Sequence, residues 1–114
     1  MSASVVKVGQ DFVVVIWGGE RPHIGAVALA QSRRSLKDPE KKSATASVLS
    51  ILGHKEDTIV KSISERLAAV ADCPVVVTAG MHWDNLKDSE LNQILNNVEI
   101  LTQMIEAHMR TSRC

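Results

Sequence analysis

Histidines and carboxylates hold most of this chain's capacity for chemistry, and two of the four histidines stand in glycine-containing polar clusters. One cluster is Gly53, His54, Lys55, Glu56 and Asp57; the other is Gly80, Met81, His82, Trp83, Asp84 and Asn85. A third histidine, His23, follows the turn formers Gly18, Gly19, Glu20, Arg21 and Pro22. Neutral imidazoles beside a carboxylate suit a borderline divalent metal such as zinc, nickel, iron or cobalt. The same groups suit proton transfer near neutral pH. The candidate metal set is therefore His54, His82 and His23, with Glu56 and Asp84 as further ligands or as acceptors that fix a histidine tautomer. Each histidine taken singly has a plainer role as a turn or cap residue. Asp57 belongs to a helix N-terminus, where the dipole favours negative charge, and His108 has no comparable company. No His-Glu-x-x-His, Gly-x-Ser-x-Gly, P-loop or dinucleotide glycine pattern is present.

Whether these residues meet depends on the elements that carry them. Residues 5–8, 12–17, 23–31, 44–52 and 75–79 read as strands, β-branched and apolar or alternating. The apolar spacing over 55–72 predicts a first helix, ended by Cys73-Pro74 because a residue before proline leaves the helical region. A second helix, capped by Asp88 or Ser89, is predicted to about residue 110. The order of four strands, helix, strand, helix gives an α+β two-layer sandwich. Its mixed five-stranded sheet is a four-strand meander plus one parallel βαβ crossover, with both helices on one face. In that arrangement the fifth strand lies beside the fourth, and His23, His54 and His82 leave the sheet at one edge. Ligands favour such carboxyl ends of parallel strands.

Two further stretches bear on binding. Gly25 and Ala26 begin a small-residue strand that admits either a flat ligand or a closely packed helix. Ser43, Thr45 and Ser47 form a hydroxyl row that faces a ligand or water. Two helices leave the second sheet face bare, with Val13, Val15 and Trp17 on one side of their strand and Phe12, Val14 and Ile16 on the other. A bare apolar face calls for a second copy of the chain, hence a homodimer.

Composition bounds the rest. A chain of 114 residues is one domain over 1–114, with ends 1–4 and 111–114 expected to fray. Lys plus Arg and Asp plus Glu both number 13, so no net field draws the chain to nucleic acid or an anionic membrane. No apolar run approaches the ~18 residues of a membrane span. Cys73 and Cys114 read as free thiols of a cytoplasmic protein.

The motifs 19–28, 53–57 and 76–85 resemble, in order, those of the LpdD-like proteins, small accessory proteins of UbiD-type decarboxylases. The resemblance covers about residues 11–104. It implies a non-catalytic homodimeric chaperone for prenylated FMN, which helps the decarboxylase subunit acquire its flavin. The matching polar positions are His23, His54, Glu56, Asp57, His82, Asp84 and Asn85. A flavin mononucleotide needs an apolar slot, which the strand from Gly25 to Ala30 with Trp17 or Trp83 would provide. Its phosphate needs donors, for which Arg21, the hydroxyls of Ser43, Thr45 and Ser47, or a histidine-held metal are candidates. The cofactor set is accordingly Arg21, His23, Gly25, Ser43, Thr45, Ser47, Trp83 and Asn85. Two other functions fit the same residues: a small metal-dependent enzyme, with a histidine base and a Lewis-acid metal, and a purely structural subunit of a decarboxylase complex.

Overall fold

A computed structural model describes residues 1–51 and 56–112. The elements are β1 (Ser2–Val8), β2 (Asp11–Gly19), β3 (Ala26–Arg34), β4 (Lys42–Ser50), α1 (Asp57–Ala71), β5 (Val75–His82) and α2 (Asp88–Ser112). They form a five-stranded mixed sheet with two helices, an α+β sandwich of the predicted class.

The strand order is β1-β2-β5-β3-β4. Two antiparallel hairpins, β1–β2 and β3–β4, flank β5, which runs parallel to β2 and antiparallel to β3. This corrects the expected meander, in which β5 lay beside β4. Both β4 and β5 are antiparallel to β3, so they point the same way with one strand between them. The physical reason lies in their side chains. Val75, Val76 and Val77 offer no polar alternation, so β5 gains most from the centre, where both its edges are hydrogen-bonded. β4 alternates Ser43, Thr45 and Ser47 with apolar residues and tolerates an edge. At the chain start, Ser2 pairs with Trp17, Ala3 with Ile16 and Ser4 with Val15, so residues 2–4 belong to β1.

One sheet face is buried beneath the helices. Phe12, Val14 and Ile16 of β2, Val75, Val77 and Ala79 of β5, and Ala26, Ala28 and Ala30 of β3 are at most 1 % exposed. Val60, Ile63 and Leu67 of α1 meet them, and Val98, Ile105 and Met109 of α2 complete the cluster. The small residues of β3 let α1 pack closely on it, so they are not a platform for a flat ligand. Between the helices, Arg66 donates to Glu106 at 2.6 Å and to Glu99 at 2.7 Å. Glu106 is buried, and its carboxylate, with that of Glu99, holds the Arg66 guanidinium firmly in its charged form. α2 starts differently from expectation. Asp88 and Ser89 lie within it, and the Lys87 N–H is taken by the Glu90 carboxylate at 3.3 Å, half of a capping box.

On the other sheet face, register aligns Val6, Val13, Val76, Leu29 and Ser47 across all five strands. Val13, Val15, Trp17, Val27 and Val76 are half-buried here, while Val6, Leu29 and Leu49 are exposed. This face carries no helix among the described residues. No described helix is long and apolar enough to cross a membrane.

Candidate functional site

The strand order brings the ends of β2, β4 and β5 and the start of β3 to one edge. Gly19 lies opposite His82, Ala26 opposite Ala79, and Ala26 opposite Ser50. The segment between β2 and β3 is bonded into that edge. Gly25 N–H donates to the Ala79 carbonyl at 2.9 Å, and Ile51 N–H donates to the Gly25 carbonyl at 2.8 Å. Gly80 makes this approach possible: a Cβ there would stand 1.6 Å from the His23 carbonyl oxygen. β2 closes similarly, since Gly19 has φ 81° and the next N–H, of Glu20, donates to the His82 carbonyl at 2.7 Å.

Two histidine–carboxylate pairs result. In the inner pair, His23 Nε2 lies 3.3 Å from Glu56 Oε1. The ring's Nδ1–H donates to the Arg21 carbonyl at 2.9 Å. A carbonyl can only accept, so Nδ1 carries the proton of this contact and Nε2 is the ring atom that faces the Glu56 carboxylate. Glu56 directly precedes α1 and is 7 % exposed. It makes no side-chain cap to that helix. Its Oε1 instead accepts the Met81 N–H at 3.2 Å, and its Oε2 is buried with no hydrogen-bond partner among the described residues. Gly25 leaves room for it, because a Cβ there would sit 2.4 Å from Oε2.

The outer group is exposed. His82 Nε2 lies 2.8 Å from Asp84 Oδ1, and Arg21 Nη2 lies 3.0 Å from the same oxygen and 2.6 Å from Nε2. Nε2 either donates to Asp84 or accepts from Arg21, and cannot do both at once. The hydrogen bond from His82, with Arg21 contributing, holds the Asp84 carboxyl below the ordinary aspartate value.

Beside these pairs a cleft of about 330 Å³ opens between β5, α1 and the first turns of α2. Ile59, Met81, Trp83, Leu91, Ile94 and Leu95 give it apolar walls, and Glu56 and His82 are its polar members. Such a lining, apolar with few convergent polar groups, is that of a small-molecule site. By sequence spacing Leu91 and Leu95 belong to the apolar stripe of α2. The signal available was the length of that stripe: both continue the buried line Val98, Thr102, Ile105 and Met109 towards the helix start, and both stay nearly half exposed.

Of the residues marked from sequence, Arg21, His23, Gly25, Glu56, His82, Trp83 and Asp84 gather at this edge. Asn85 stands in the following loop, exposed, with φ 55°. The hydroxyl row does not join them. Ser43, Thr45 and Ser47 share the bare sheet face with Leu49, and Ser43 pairs with Arg33 towards the far end of β4. Arg33 Nε donates to Thr45 Oγ1 at 2.7 Å. Trp17 also lies on the bare face, away from the cleft. His54 falls outside the described residues. Of the expected metal set this leaves His23, His82, Glu56 and Asp84, and among the described residues no three His, Cys, Asp or Glu side chains could hold one ion. The described donors stand as the His23–Glu56 and His82–Asp84 pairs.

Fold and site together define a small α+β domain with an apolar cleft at the strand ends and histidine–carboxylate pairs at its mouth. The family described as the prenylated flavin chaperone LpdD-like domain matches residues 1–110, and the chain belongs to that family. Its role is that of a prenylated flavin chaperone. No curated protein matches the chain.

Proposed function

We propose that the chain is a non-catalytic carrier of prenylated FMN for a UbiD-type decarboxylase, acting in the cytoplasm as a homodimer. The observation that carries this reading is the apolar cleft at the strand ends, in a chain of the prenylated flavin chaperone family. Its volume of about 330 Å³ is at the lower end for drug-sized ligands. It suits the ring system, with the ribityl phosphate left outside at the rim. Trp83 supplies an aromatic wall, and Glu56 is placed to accept a ring N–H. Arg21 and His82 are the donors nearest the mouth for the phosphate. A carrier must also give up its cargo, and a cleft open to solvent at one end serves release as well as capture. The bare face with Val13, Val15 and Val76 supports self-association.

Flavin fluorescence during titration with FMN and with its prenylated form tests the reading. Binding of the prenylated form is expected, weakened at least tenfold by Leu95→Asp in the cleft wall, with no decarboxylation of aromatic acids by the chain alone. Absence of binding to both flavins would leave a structural subunit as the better description. Turnover by the isolated chain would make it an enzyme.

A further inference from the structure

Arg21, His82 and Asp84 are 67 %, 40 % and 53 % exposed in their side chains, so core packing does not dictate their arrangement. Yet Asp84 Oδ1 sits 3.0 Å from Arg21 Nη2 and 2.8 Å from His82 Nε2. With the proton on His82 Nε2, guanidinium and imidazole both donate to this one anionic oxygen, as they would to a phosphate monoester. The geometry points to an anion seat at Arg21 and His82 that Asp84 occupies as a built-in competitor, and from which a ligand phosphate displaces it. The identity of that ligand as a flavin mononucleotide rests on the reading above; the seat itself does not.

Three features make Asp84 a competitor and not a fixture. It stands on the short connection between β5 and α2, outside both elements. Its neighbour Asn85 has φ 55°, a conformation that lets the connection reverse sharply. Asp84 carries one negative charge, whereas a phosphate monoester carries about 1.5–2 near pH 7 and presents three acceptor oxygens. A tethered carboxylate acts at an effective concentration on the order of millimolar. It therefore keeps the seat filled when phosphate is scarce and yields when a dianion arrives.

The test follows the His82 ring by ¹H–¹⁵N NMR at pH 7.5 during titration with inorganic phosphate. Wild type, Asp84→Asn and Arg21→Ala are compared, each checked for fold by circular dichroism. Asp84→Asn is expected to bind phosphate about two- to fivefold more tightly than wild type, the effect of removing one competing surface charge. Arg21→Ala is expected to lose the response. Parallel titrations with FMN and riboflavin should show the same tightening for FMN only. Phosphate bound no more tightly by Asp84→Asn, or by neither protein, overturns the seat. Tightening towards phosphate with no binding of either flavin sustains the seat and removes the flavin reading. Equal tightening of riboflavin overturns displacement by phosphate.

Discussion

Replacing Gly80 with alanine is the most direct trial of how the edge is built. A Cβ at this position would lie 1.6 Å from the His23 carbonyl oxygen, 2.3 Å from its carbon and 3.0 Å from the Gly25 nitrogen. The obstacle is backbone on every side, so no rotamer change relieves it. Reaching even the 3.0 Å floor for such contacts requires β5 and the segment before β3 to part by about 1.4 Å. That movement breaks the 2.9 Å bond from Gly25 N–H to Ala79 and draws Met81 N–H away from Glu56. An ordinary backbone bond contributes about 1 kcal/mol and one to a charged group about 1.5–3 kcal/mol. The loss should thus be about 2.5–4 kcal/mol, against a total of about 5–15 kcal/mol for a domain. Thermal unfolding at fixed protein concentration should show Tm lowered by about 10–30 °C. Gly25→Ala is the companion variant. Its Cβ meets the Glu56 side chain, which can swing away, so about 1–2 kcal/mol is expected, with Glu56 expelled from His23 and Met81. A Gly80→Ala protein within about 1 kcal/mol of wild type, or no less stable than Gly25→Ala, would refute the account.

Three other outcomes are expected. Arg66→Ala should cost about 1–3 kcal/mol in chemical denaturation, mostly because the buried Glu106 carboxylate loses its donor. Val15→Asp on the bare sheet face should convert a dimer to monomer in sedimentation analysis, while near-native circular dichroism persists. The Asp84 carboxyl, depressed first by His82, should titrate by ¹³C NMR below an ordinary aspartate and move up in His82→Ala. With the folded value lowered, its contribution to stability is in place above the ordinary aspartate range and is lost as pH falls through the depressed value.

Both helices and all five strands were legible in the sequence, because their apolar residues recur at helical or strand spacing. The strand order was not. Hydrophobic periodicity reports which face of a strand is buried but not which strand lies next to it. Only the unbroken run Val75, Val76 and Val77 hinted that β5 belongs in the middle. The meeting of His23 with the end of β5 was legible from strand ends alone and survived the wrong order, since β4 and β5 still point the same way. Glu56 was harder. A glutamate in the first turn of a helix has a sufficient local reason to be there, and its turn towards the sheet depends on Gly25 and Met81, which are remote in sequence. The hydroxyl row misled for the opposite reason: alternation on β4 places Ser43, Thr45 and Ser47 on one face but does not say which.

The position of β5 has a consequence for how the chain comes together. β1–β2 and β3–β4 are local hairpins, each able to form from contiguous sequence soon after it is made. Neither can close the sheet, because the strand that joins them is the last of the five and follows a whole helix. Until residues 75–82 arrive, two open edges of unsatisfied N–H and carbonyl groups face one another across an empty strand position. The joining step is non-local and should limit the folding rate, as loop closure must precede its reward. Two chains at the same stage can each insert this strand into the other's gap, which makes exchange of β5 and α2 between copies the characteristic misassembly of this architecture.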